Sequence, residues 1–176
     1  MGFILRAIGA LVLVALLLLG VGFLLPGSYR IERSVEITAP ATRVYPLIAD
    51  PREWKRWSAW NRRDPAMLID YSGPASGAGA AWSWRSRSEG NGRMEFTEAV
   101  ADQRVAYALS FADDSMRSHG SLTLDAQGNR VRVAWTNEGD LGRNPAARWF
   151  GLFMDRIVGP DFEAGLRNLK SIVEGG

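Results

Sequence analysis

The chain has 176 residues, with 21 Lys and Arg against 19 Asp and Glu, one histidine and no cysteine, for a formal net charge of +2. The missing cysteines exclude disulfides, thiol nucleophiles and cysteine metal sites, and leave the redox compartment open. Nearly balanced charge, with arginines scattered rather than gathered in a block, does not make a nucleic-acid footprint.

The first element is an uncharged apolar run from Ala7 to Leu25, with no strong helix breaker before Pro26. As a helix it reaches roughly 28 Å, about the thickness of a bilayer's hydrocarbon core, and satisfies its own backbone hydrogen bonds there. A cleaved signal peptide and a buried core helix are the competing readings. Arg6 fits a signal's basic start, but the apolar core is long and the exit Phe23-Leu24-Leu25-Pro26-Gly27 lacks a small-x-small cleavage pattern. The preferred organisation is therefore a single-pass transmembrane anchor and short hinge over 1–28 and one domain over 29–176, in the cell (inner) membrane. Arg6 on one flank and Arg30, Arg33 and Arg43 on the other leave the side of the membrane open.

Behind the hinge, Tyr29, Ile31, Val35 and Ile37 alternate with Arg30, Glu32, Ser34 and Glu36, the pattern of a half-buried strand with Arg33 as the charge on its apolar side. A short helix starting at Ala39 or Thr42 carries Val44, Leu47 and Ile48. A second follows Asp50-Pro51 and carries Trp54, Trp57 and Trp60 on one side.

Alternation resumes at Met67, Ile69 and Tyr71, and turn signals then separate five further strand-like runs. Their inward parities are Ala80, Trp82 and Trp84; Met94, Phe96 and Val100; Val105, Tyr107, Leu109 and Phe111; Met116, Leu122 and Leu124 after a turn at Asp113-Asp114; and Val131, Val133 and Trp135. The period then becomes helical over Trp149, Phe150, Phe153, Met154 and Ile157. Gly159-Pro160 is expected to break the helix, and Phe162, Leu166, Leu169 and Val173 to continue it. One strand, two short helices, six strands and a long kinked helix make an α+β antiparallel sheet whose apolar face needs a cover, and the last helix supplies it.

An ordered set of motifs carries a family resemblance. It comprises Glu32-Arg33-Ser34-Val35-Glu36-Ile37 with Ala39-Pro40, Trp54-Lys55-Arg56-Trp57-Ser58-Ala59-Trp60, Asp64-Pro65, Tyr71-Ser72-Gly73-Pro74 with Gly77, Gly79 and Trp82, and Gly159-Pro160-Asp161-Phe162 through Lys170. The chain resembles membrane-anchored bacterial members of the START-related helix-grip (SRPBCC) superfamily, in the branch named for polyketide cyclases and dehydrases. The resemblance implies a curved antiparallel sheet of about seven strands wrapped on the long C-terminal helix, with a cavity between them for an apolar ligand, and no cofactor.

Candidate cavity walls are the inward rings Trp82, Trp84, Phe96, Tyr107, Phe111 and Trp135 with Phe153 from the helix, since aromatic walls bury area and can orient a ligand. The alternative is that the rings fill the core. Trp54, Trp57 and Trp60 are candidates for a cavity end. Arg33, Glu98, Ser118 and Asn137 fall on inward parities and are the polar candidates, though Arg33 and Glu98 also stand near strand ends from which they can reach water. The single histidine, His119, takes the outward parity and by itself builds neither a triad nor a metal site. No phosphate loop, nucleophile elbow or metal-ligand spacing appears. The sequence therefore points to a membrane-tethered domain binding an apolar small molecule or lipid. A cofactor-independent cyclase, aromatase or dehydratase in the same cavity, or a filled-core structural or partner-binding domain, stands as the alternative.

Overall fold

In the computed structural model, which describes residues 2–111 and 116–175, the alternating segments become the seven strands of one antiparallel sheet. They are β1 (Ser28–Ile37), β2 (Leu68–Ser72), β3 (Ala81–Arg85), β4 (Asn91–Val100), β5 (Arg104–Phe111), β6 (Met116–Gln127) and β7 (Arg130–Asp140). The order β1-β7-β6-β5-β4-β3-β2 is a meander in which the first strand returns to close the far side against the last. The turn expected at Asp113-Asp114 lies outside the described residues.

The helices are α1 (Gly2–Leu24), α2 (Ala41–Ala49), α3 (Trp54–Trp57), α4 (Ala59–Arg63), α5 (Pro145–Gly151) and α6 (Met154–Glu174). α1 starts before the apolar run and includes Arg6, and it is long and apolar enough to cross a membrane. α6 packs along β1 and against α2, α3 and α4, so the sheet and the short helices enclose its apolar stripe in a helix-grip arrangement. Phe162, Leu166, Leu169 and Val173 are buried there, opposite Ile31, Val133 and Trp135 of the sheet.

Two expectations are corrected. α6 runs unbroken through Gly159-Pro160, and the break falls earlier, at Leu152-Phe153. The reason is a change of partner. α5 is bonded to α1 through Arg148 and Trp149, whereas α6 is pinned to the sheet through Asp155, so the chain must turn between them. Pro160 lies on the exposed side of α6. Phe153 and Ile157, expected on the buried stripe, consequently stand about half exposed, at 50% and 52%.

The second correction concerns β4. A bulge between Phe96 and Glu98 leaves Thr97 without a partner on β5 and inverts the parity beyond it. Glu98 and Val100 therefore turn outward, and Ala99 takes the inward position opposite Val105.

Candidate functional site

The site region is the face between sheet and α6, where the tryptophans meet. α3 carries Trp54 and Trp57 into it; their indole N–H groups donate to the carbonyls of Ile48 and Leu47 at 3.0 and 2.9 Å, so each ring is oriented by the end of α2. Trp54 contacts Trp57, Trp82, Phe96, Tyr107 and Trp135 at centroid distances of 4.5 to 6.3 Å. From α6, Phe162 stacks on Trp135 at 4.0 Å and 14°. Half-buried Trp60 of α4 closes over that pair edge-on, 5.9 Å from Trp135 and 6.0 Å from Phe162. Gly165 permits the approach of α6, since a Cβ there would stand 3.0 Å from the Trp135 ring. The rings thus pack on one another, with Trp84 and half-buried Phe111 forming a separate pair at 5.4 Å.

A polar thread crosses this apolar face. Trp135 Nε1 donates to the Tyr107 hydroxyl at 3.0 Å, and that hydroxyl donates toward the Thr136 carbonyl at 3.0 Å and Asn137 Oδ1 at 3.4 Å. Asn137 Nδ2 donates in turn to the Tyr29 hydroxyl at 3.4 Å, which also bonds partly buried Ser118. Burial pushes the Tyr107 phenol well above its ordinary range, because ionisation would leave a charge in the core. Burial raises Tyr29 less steeply, with the bonds to Ser118 and Asn137 working against it.

Two glycines make room for the thread. Tyr107 lies across its cross-strand partner Gly120, and Tyr29 across Gly139, so that a Cβ on either glycine would strike the tyrosine ring or hydroxyl. Tyr29 also lines two surface clefts beside β1. The smaller, about 180 Å³, is bounded by Pro26, Ser28, Arg30, Leu141, Arg148, Gly151, Leu152 and Asp155. The larger and shallower one, about 720 Å³, is bounded by Arg30, His119, Glu138 and their neighbours. Neither is lined by any of the clustered tryptophans.

Of the polar candidates, Asn137 is buried within the thread and Ser118 joins it. Arg33 does not point into open space. Its guanidinium lies against Gly159 of α6, with bidentate bonds of 2.8 and 3.0 Å to Asp155 and one of 2.7 Å to Glu163. These partners raise the pKa of Arg33, and Arg33 in turn lowers that of Asp155. Glu98 is on the outer surface, 3.4 Å from Arg104. Phe153, expected on the cavity wall, faces outward at the start of α6, and His119 is exposed beside Glu138. Among the described residues no cluster of three or more acidic or histidine side chains is arranged to hold a metal ion.

Tyr29 and Arg63 were missed by sequence reasoning. Arg63 of α4 makes a bidentate pair with Asp161 at 2.7 and 2.9 Å and bonds Glu89 at 2.9 and 3.1 Å, tying the Trp60 cover to α6. Inward glycines facing aromatic partners were the available signal for Tyr29, but reading them requires the strand register.

The fold recurs in solved structures of low identity. The solution structure of the Aha1 dimer from Colwellia psychrerythraea superposes with a TM-score of 0.59 at 19% identity, over 82% of this chain and 96% of that one. A protein from Thermobifida fusca gives 0.62 at 21% identity, over 82% and 92%, and one from Arthrobacter aurescens 0.60 at 16%, over 84% and 87%. No curated protein matches the chain in sequence. The sequence profile of polyketide cyclase / dehydrase and lipid transport proteins matches residues 28–174, nearly everything after α1. With that match and the sheet closed on its last helix, the chain belongs to the polyketide cyclase / dehydrase and lipid transport family.

Proposed function

We propose that the domain binds an apolar small molecule (a lipid, isoprenoid or polyketide-like compound) between the sheet and α6, and that α1 tethers it to a membrane by crossing once. The observation that carries this reading is the double position of Tyr29. Tyr29 lines both clefts while its hydroxyl continues through Asn137 to Tyr107 and Trp135 at the heart of the aromatic face. Such a thread offers a polar end group hydrogen-bonding partners inside an otherwise apolar site, the usual composition of a small-molecule pocket. The family's lipid-transport description agrees with it.

In the closed arrangement the rings occupy one another's space, so the ligand enters by separating them. Trp82, Trp84, Phe96, Tyr107, Phe111 and Trp135 then become its walls, and Trp54, Trp57 and Trp60 its closed end. Half-buried Trp60 and Phe111 have the freedom to move first. Tryptophan fluorescence titrated with fatty acids, isoprenoids and aromatic polyketides tests this. A saturable change is expected from one class, with a raised melting temperature because the ligand binds only the folded state. Trp60→Ala should alter the affinity while the fold persists. No response from any class, with the melting temperature unchanged, would leave the rings as a filled core and overturn the proposal.

A further inference from the structure

α5 packs chiefly on α1 and only lightly on the sheet, at β1. Trp149 Nε1 donates to the Leu18 carbonyl at 2.9 Å, and Arg148 donates to the carbonyls of Phe23 and Leu25 at 2.8 and 3.1 Å. Gly22, buried by these contacts, has no Cβ where Pro145 and the Trp149 indole come in. The Asn144 side chain caps α5 by accepting from Ala146 and Ala147, and Pro145 opens it, so the short helix is set firmly at this angle.

The level of the contact matters. Leu18 precedes the last residue of α1 by six positions, about 9 Å along the helix axis. Where α1 crosses a bilayer, α5 therefore lies beside the last turns of the span, at the border of headgroups and acyl chains. The side chains there suit that border. Outside α1, seven large hydrophobic residues are exposed among the described residues, and four of them, Phe150, Leu152, Phe153 and Ile157, fall within this one short stretch. Exposed Arg143 precedes it and exposed Arg156 stands within it, and Asp155, the one carboxylate between the two arginines, is neutralised by Arg33. Tryptophan at the interface, apolar side chains below and arginines beside them are the pattern of an interfacial helix on an anionic membrane.

We infer that α5 and the first turn of α6 dock on the anionic surface of the bilayer that α1 enters, sinking Phe150, Leu152, Phe153 and Ile157 to the acyl border. The inference rests on the reading of α1 as a membrane span. It extends that reading from a tether to a fixed orientation. The small cleft lined by Tyr29, Leu141, Arg148 and Leu152 then opens at the lipid surface, where an apolar ligand passes into it without crossing water.

The absence of cysteine permits single-site labelling of the full chain. Leu13→Cys in α1, Phe153→Cys in the docking face and Asn129→Cys in the β6–β7 turn, each carrying an environment-sensitive fluorophore, are reconstituted separately into mixed phosphatidylcholine and phosphatidylglycerol vesicles. Asn129 stands at the opposite end of β7 from Asp140, about 36 Å away along the strand. Nitroxide-bearing lipids should quench Leu13→Cys and Phe153→Cys several-fold more than Asn129→Cys. Quenching at Leu13→Cys with Phe153→Cys no more quenched than Asn129→Cys would overturn the docking and leave the span standing. No quenching at Leu13→Cys would overturn the span and the docking with it.

Discussion

Tyr107 is the one phenol fully enclosed by the aromatic face, and its hydroxyl is where an indole donor and two acceptors meet. Tyr107→Phe leaves the buried Trp135 N–H without an acceptor, and an unsatisfied buried donor costs about 1–3 kcal/mol. Urea unfolding should show a loss in that range. The midpoint should move while the slope is unchanged. Gly120 is under the same constraint from the opposite strand. Gly120→Ala drives a Cβ into the Tyr107 hydroxyl and the Thr136 carbonyl, an overpacking expected to cost about 1–3 kcal/mol. The same substitution at Gly2, where a Cβ meets nothing, should leave stability unchanged in the same assay.

Among the elements, α6 is secured by an apolar stripe and by charged clips at its edges. Phe162 is 3% exposed and stacked on Trp135, so Phe162→Ala should cost about 3–5 kcal/mol in the same unfolding assay. The Arg33 clip adds a pH dependence. The Arg33 guanidinium, by hydrogen bond and charge, holds the Asp155 carboxyl below its ordinary value of 3.8. The folded state thus prefers the ionised form. This contribution is fully present above the ordinary value and disappears as pH falls through the lowered one. Melting temperature should accordingly drop as the solution is acidified below about pH 4. The drop should be shallower in Arg33→Gln, which has no clip to lose. Equal acid sensitivity in the two proteins would assign the effect to other carboxylates, such as Glu174, which is lowered by accepting from the Thr38 N–H.

Across the whole molecule, α1 and the domain are joined by more than the Pro26-Gly27 hinge, because α5 reaches back along α1. Under the proposed tether, the full chain should stay with membranes through a carbonate wash, and a chain beginning at Ser28 should be released from them. Mature protein beginning near Ser28 in the soluble fraction would identify residues 1–27 as a cleaved leader instead. A membrane-tethered domain holding its cleft at the lipid surface agrees with the lipid-transport side of the family.

Local pattern alone determined most of the strands, because period-two alternation is written residue by residue. β1 and β5 fall within a residue or two of their sequence limits, β7 starts where expected but runs on past Trp135 to Asp140, and the α6 stripe from Phe162 to Val173 is read directly from its spacing. Alternation cannot register a bulge, which inserts one residue without changing composition, so Glu98 and Val100 were placed on the wrong face. Nor can it say which partner a helix will choose. Phe153 and Ile157 continue the apolar period, but α5 is bound to α1 and they are left outside. Arg33 was legible as a charge on an apolar face; only the packing of α6 put Gly159 above it and carboxylates on either side. The Tyr29 thread belongs wholly to tertiary structure. It runs through β1, β5, β6 and β7, whose partners lie far apart in sequence, and depends on a register that sets tyrosines over Gly120 and Gly139. Sequence determined which residues are apolar and how they alternate; the closing of the sheet on α6 decided which of them meet.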